Sequence, residues 1–124
     1  MEAIKVAVMT ISDRCSRNDQ EDLSGPALCN LLPEDKFEVC EYKILPDESG
    51  EIQKELLRLA DDVEADIVLT TGGTGLGPRD VTPEATMAVC DRFVPGLAEV
   101  IRAEGLKKTR NAMLSRGAAG IRNK

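Results

Sequence analysis

An apolar strand, Ile67-Val68-Leu69, runs straight into Thr71-Gly72-Gly73-Thr74-Gly75-Leu76-Gly77-Pro78-Arg79-Asp80, and a helix start follows at Thr82-Pro83-Glu84. No other stretch limits the choice of fold as tightly. A strand, a glycine-rich turn and a helix in that order make half of a β-α-β unit, in which successive strands lie parallel. Glycine lets backbone N–H groups approach a ligand closely, and a helix N-terminus favours negative charge. With an arginine and a carboxylate at its end, the loop reads as a phosphate or nucleotide cradle with an oxygen ligand for a metal ion.

The chain repeats this alternation. Ile4–Ile11 is a near-continuous apolar run, the pattern of a strand covered on both faces. Ser24-Gly25-Pro26 opens a short helix that Ser24 can cap, with Leu28, Leu31 and Leu32 as its apolar face and Pro33 as its stop. Phe37–Leu45 is β-rich but more polar, as expected of a strand nearer an edge. Asp47 and Ser49 are alternative caps for the next helix, on which Ile52, Leu56, Leu59, Ala60 and Val63 recur at helical spacing. A third strand is expected over 66–70. A helix from Thr82, with Pro83 in its first turn, should end before Pro95-Gly96, and another should cover 97–106 with Leu97, Val100 and Ile101 inward. The expected fold is α/β and three-layered: a mostly parallel sheet with helices on both faces, in one domain of 124 residues.

Ligands of open parallel sheets bind outside the carboxyl ends of the strands. Three segments fall there: Ser12-Asp13-Arg14, Pro46-Asp47-Glu48, and the glycine loop with Arg79 and Asp80. Convergence of Asp13, Asp47 and Asp80 around such a loop suits metal-assisted phosphoryl or nucleotidyl transfer. The loop is not a P-loop, since it has no lysine, and it does not fit the dinucleotide fingerprint G-x-G-x-x-G. Plainer readings stand beside this one. A tight turn needs one or two glycines, Asp80 and Asp47 can be helix caps, and Asp13 can close a turn. Arg14, Arg79 and Arg116 can each be solvated surface charges.

Composition narrows the function classes. A net charge of −6 with three aromatic residues, Phe37, Tyr42 and Phe93, gives neither a basic patch nor a stacking platform for nucleic acid. The absence of histidine removes imidazole bases and imidazole metal ligands. Cys15, Cys29, Cys40 and Cys90 form no CxxC pair; Cys29 and Cys40 read as buried thiols, and the usage suits a reducing cytosol. No apolar run reaches the length of a membrane span, and the N-terminus carries no signal-peptide pattern.

Thr70-Thr71-Gly72-Gly73-Thr74-Gly75, followed by Arg79-Asp80-Val81-Thr82-Pro83-Glu84-Ala85, closely resembles the molybdopterin adenylyltransferase family, the domain that also forms the N-terminal part of gephyrin. The likeness extends over Thr10-Ile11-Ser12-Asp13-Arg14, Asp22-Leu23-Ser24-Gly25, Leu45-Pro46-Asp47-Glu48 and Met113-Leu114-Ser115-Arg116 to Gly120-Ile121-Arg122. It implies the fold of the molybdenum cofactor biosynthesis proteins. It also implies transfer of AMP from MgATP to the terminal phosphate of molybdopterin, with release of pyrophosphate. Carried over by position, Asp47 and Asp80 are the catalytic and Mg²⁺-binding carboxylates. Ser12, Asp13, Thr71, Gly72, Gly73, Thr74, Gly75, Arg79, Ser115 and Arg116 bind nucleotide or pterin, with Ser115 on the pterin. The resemblance further implies a cytoplasmic homotrimer, with a molybdenum-insertion domain fused or separate. Relatives continue past the position of Lys124 into a further strand and helix, so the domain is expected to lack these here. The alternative is a trimerising scaffold or molybdopterin-binding module of a gephyrin-like protein, with catalysis weak or lost.

Overall fold

The structure is a computed structural model that describes residues 2–123. Strand β1 (Ile4–Ile11) is its axis. Val6 to Ile11 are all buried, which explains the unbroken apolar run. Strand β2 (Phe37–Leu45) lies parallel on one side, with Ile4 opposite Phe37 and Ile11 opposite Leu45; a bulge at Cys40 shifts the register once. Strand β3 (Ile67–Thr71) lies parallel on the other side, with Val6 opposite Ile67 and Thr10 opposite Thr71. The order β2-β1-β3 makes β2 an edge strand, as its polar pattern requires.

Alternation along β1 sorts its side chains between two layers. Ala7, Met9 and Ile11 join a core with Ile52 and Leu56 of helix α3 (Ser49–Leu57), and with Ala85 and Val89 of helix α4 (Thr82–Val89). Leu59 and Ala65 extend that core through a π-helical turn, Arg58–Asp62. The opposite face is closed by helix α2 (Ser24–Leu31), whose buried Gly25 has room for no Cβ between Thr10, Asp22 and Tyr42. Helices therefore cover both faces of a parallel sheet, as expected.

Several local expectations give way. The Ser24 hydroxyl does not cap α2. Asp22 does that work, with Oδ1 accepting the Gly25 N–H at 3.2 Å and Oδ2 taking the hydroxyls of Thr10 (2.6 Å) and Tyr42. Leu31 is exposed, because α2 buries little beyond Gly25. Neither Asp47 nor Ser49 caps α3: the Asp47 side chain turns back toward β1, and Glu48 is the capping position without a side-chain bond. Cys15 is the buried thiol, whereas Cys29, Cys40 and Cys90 are half-buried. The third strand is Ile67–Thr71, one residue later than expected, because the Asp66 carboxylate takes the Lys5 N–H at 2.9 Å just ahead of it.

After α4 a short strand β4 (Arg92–Phe93) precedes helix α5 (Pro95–Leu106), and β4 pairs antiparallel with β5 (Gly120–Ile121). Neither two-residue strand carries a period that sequence reading can detect. On α5 the inward residue is Ala98. Leu97, Val100 and Ile101 are 57%, 63% and 71% exposed, so the expectation that they face the core is wrong. Among the described residues no helix is long and apolar enough to cross a membrane.

Candidate functional site

The chain leaves β1 toward β2, then crosses back to β3 on the far side. The carboxyl ends of β1 and β3 therefore flank the switch point where open α/β sheets bind ligands. The glycine loop closes over it. Gly72 and Gly73 have φ of +96° and +69°. A Cβ on Gly72 would collide with the Ile11 carbonyl, and one on Gly73 with the Thr82 hydroxyl. Thr82 ties the start of α4 to this turn, its Oγ1 donating to Gly72 O at 2.9 Å and its N–H to Gly73 O at 3.1 Å. Further on, Cβ atoms at Gly75 and Gly77 would lie 2.9 and 3.0 Å from Asp80 Oδ2. All four glycines thus have a steric reason. They let the loop press onto β1 and let two carboxylates fold in beneath it.

With Asp13 they make three carboxylates, one from each strand end. Asp13 and Asp47 exchange reciprocal bonds: Asp13 N–H donates to Asp47 Oδ2 at 2.9 Å, and Asp47 N–H to Asp13 Oδ1 at 3.0 Å. Arg79 forks onto Asp13 at 3.1 and 3.0 Å and reaches Glu48 Oε1 at 2.9 Å. Its hydrogen bonds, with the opposing Asp47 N–H, hold the Asp13 carboxyl below the usual carboxylate range. Asp47 is pushed the other way. Burial raises its pKa, and the charges of Asp13 and Asp80 add to that against the single bond from Asp13 N–H. Asp47 Oδ1 is buried with no hydrogen-bond partner among the described residues, and it is the atom 3.0 Å from a Cβ placed on Gly73. Asp80 Oδ2 accepts the Gly77 N–H at 2.9 Å, so it caps its own loop while its field reaches Asp47. Ser12 is the N-cap of helix α1 (Asp13–Ser16), its Oγ accepting the Cys15 N–H at 3.2 Å; that role fixes Asp13 in the first turn.

The far side of the loop belongs to the 115–119 segment. Arg116 places Nε on Gly75 O at 2.8 Å and Nη2 on Asp80 O at 2.7 Å, while Nη1 meets Glu84 Oε2 at 2.6 Å. Its own N–H donates to Thr74 O at 2.8 Å. Arg116 reaches the loop as expected, but its donors are engaged by protein carbonyls and by Glu84. Ser115 Oγ accepts the Gly117 N–H at 3.2 Å and lines a cavity of about 250 Å³ with Thr71, Gly72 and Thr74. Asp13, Asp47, Arg79 and Asp80 do not line that cavity, so the expected residues divide into two groups on opposite sides of the loop.

Sequence reading missed three contributors. Glu48 shares Arg79, and its position beside Asp47 was the available signal. Thr82 locks the turn, and its place at the helix start was the signal. Arg102 anchors the 115–117 carbonyls from α5, with Nη1 on Gly117 O at 2.9 Å, and nothing in its apolar neighbourhood announces that. Among the described residues no three carboxylates or thiols converge to hold a metal unaided. An orphaned oxygen on Asp47 with two like charges beside it nonetheless suits a hard cation. Mg²⁺ commonly takes one or two carboxylates and completes its shell with phosphate oxygens and water.

Comparison with known proteins agrees with this geometry. The family described as "probable molybdopterin binding domain" matches residues 7–123. The molybdopterin adenylyltransferase of Helicobacter pylori strain J99 is 45% identical over 126 aligned positions, covering 100% of this chain and 72% of its own. The molybdenum cofactor synthesis protein cinnamon of Drosophila melanogaster is 46% identical over 98% of this chain, which spans 20% of that longer protein. The crystal structure of the molybdopterin biosynthesis enzyme MoaB from Thermus thermophilus superposes with a TM-score of 0.90 at 48% identity, covering 96% of this chain and 75% of that one. With the family pattern spanning nearly all of its sequence and both fold and identity shared, the chain belongs to the molybdopterin-binding domains of the molybdopterin adenylyltransferase family.

Proposed function

We infer that the chain transfers the adenylyl group of MgATP to the terminal phosphate of molybdopterin. A phosphate oxygen of the pterin attacks the α-phosphorus, the bond from that phosphorus to the oxygen bridging to the β-phosphate breaks, and pyrophosphate leaves. A phosphate monoester is largely dianionic at neutral pH, so the attacking oxygen has no proton to lose. A chain without histidine suffices for such a step, because positioning and charge stabilisation carry most of phosphoryl-transfer catalysis.

The observation that carries this reading is Asp47 Oδ1, buried, unpartnered and turned toward the glycine loop. Asp47 and Asp80 would hold Mg²⁺, which when bound neutralises triphosphate charge and polarises the α-phosphate. Gly73, Thr74, Gly75 and Leu76 have no acceptor for their N–H groups among the described residues, so these donors are available to phosphate oxygens. Asp13 and Ser12 shape the floor, with Arg79 poised above it. Thr71, Gly72 and Ser115 line the cavity where the pterin end would lie. Four free cysteines suit a reducing cytoplasm. The exposed Leu97, Val100 and Ile101 support a homotrimer, and the span in the cinnamon protein supports fusion to further domains in some relatives. That same apolar face favours, as a second reading, an oligomerising module in which catalysis is secondary.

Incubation with molybdopterin, ATP and Mg²⁺ should give adenylylated pterin and equimolar pyrophosphate. Oligomer formation with no product under these conditions would decide for the second reading.

A further inference from the structure

Arg116 touches the glycine loop at three backbone carbonyls, those of Thr74, Gly75 and Asp80, and touches the first turn of α4 at Glu84. It therefore spans both ends of the loop. A trans peptide is planar, so a carbonyl turned toward Arg116 points the next N–H the opposite way. Capture of the Thr74 and Gly75 carbonyls aims the N–H groups of Gly75 and Leu76 away from the arginine. Neither N–H has an acceptor among the described residues. Successive N–H groups held to one side form a concavity suited to anions. Arg116 itself is held in place, because Arg102 of α5 grips the carbonyls of Ser115 and Gly117 at 3.3 and 2.9 Å.

We propose that Arg116 is a positioning residue that sets the peptide orientation of the glycine loop, so that the Gly75 and Leu76 amides face the nucleotide phosphates. The role rests on the nucleotidyl-transfer reading of the loop. It differs from a direct phosphate contact, because the guanidinium faces the carbonyl side. A lysine keeps the charge and the main-chain bond to Thr74 O but cannot span the Gly75 and Asp80 carbonyls with a planar fork.

The experiment compares wild type, Arg116→Lys and Glu84→Gln. Residual dipolar couplings of the Gly75 and Leu76 N–H vectors are measured without ligand, and MgATP affinity by calorimetry. In Arg116→Lys the Leu76 coupling should change, while that of Gly75, whose preceding carbonyl stays on the main-chain N–H of residue 116, and those along β1 hold; the Kd for MgATP should rise about tenfold. Glu84→Gln keeps all three carbonyl bonds and should leave couplings and Kd within about twofold of wild type. An unaltered Leu76 coupling in Arg116→Lys overturns the positioning role. So do an altered Leu76 coupling with unaltered Kd, or a loss of about tenfold in the MgATP affinity of Glu84→Gln, which decides the matter by itself if the lysine variant does not fold. A wild type that binds no MgATP instead sinks the nucleotidyl reading, and the couplings then judge the positioning role alone.

Discussion

The two sides of the glycine loop are built on opposite principles. On the Arg116 side polar groups meet partners: three carbonyls, one carboxylate and the Arg102 anchor close the network. On the Asp47 side a carboxylate oxygen is buried and like charges crowd it, and neither it nor the Gly75 and Leu76 amides have a partner among the described residues. Buried polar groups without partners are costly and uncommon in native proteins. Their presence on the Asp47 side, braced by a saturated network on the other, is what supports the proposal that phosphate and metal bind there. Arg79 sits between these states, because Arg79 and Glu48 are half-exposed while the Asp13 carboxylate that Arg79 clamps is mostly covered.

Removing charge from the incomplete side should have the largest effect. Asp80→Asn keeps the Gly77 N–H bond through its amide oxygen, and the fold should survive. Turnover of molybdopterin should fall about 10²–10³-fold if Asp80 stabilises the transferring phosphoryl group. Turnover near wild type would reduce Asp80 to a loop cap, and the contrast between the two sides would lose its functional meaning. Pyrophosphate release measures it directly.

Next in size is the seam where the loop meets β1. Gly72→Ala places a methyl against the Ile11 carbonyl at φ +96°, a conformation that L side chains rarely adopt. Denaturant unfolding should show a loss of about 2–4 kcal/mol. Gly50→Ala is the matched control: nothing lies within 4 Å of its Cβ, and it sits in the first turn of α3. That substitution should be neutral or stabilising by up to about 1 kcal/mol. Equal effects at both glycines would show that the loop has no fixed seat on the strand. A smaller loss, about 1 kcal/mol, is expected for Thr82→Val, which keeps the volume and deletes the bond to Gly72 O.

How much of this was legible in the sequence depended on whether a residue acts through its own element or through a distant one. The buried run of β1, the edge polarity of β2 and the helical spacing of α3 follow from periodicity alone, and each is found in place. The carboxylates at the strand ends were legible because topology brings strand ends together. The expected three-carboxylate convergence was only partly right, since Asp13 turns to Arg79 and pairs with Asp47 through the backbone. Leu97, Val100 and Ile101 misled because apolar spacing does not say which side of a helix is covered by its own chain. Arg116 looked like free positive charge because nothing local indicates a carbonyl 41 residues away.

The smallest expected effect discriminates most sharply between the two sides. Asp47 has its pKa raised in the fold, so it favours the folded state at pH below its unfolded value. That contribution is lost as pH rises through the folded value, and at neutral pH the ionised Asp47 opposes folding. Asp13 has the opposite sign: Arg79 lowers its pKa, and its contribution is present above the unfolded value and lost as pH falls through the folded one. In magnesium-free buffer at pH 7, Asp47→Asn should therefore raise Tm by about 1–4 °C, even though it should abolish turnover, and the gain should vanish in acid. Asp13→Asn should lower Tm at pH 7 and approach wild type in acid. Adding MgATP should then reverse the first order, since wild type gains a ligand that Asp47→Asn cannot hold. An Asp47→Asn protein that is less stable than wild type without ligand would mean that the orphaned oxygen is structurally useful, and the incomplete side of the loop would be no less settled than the other.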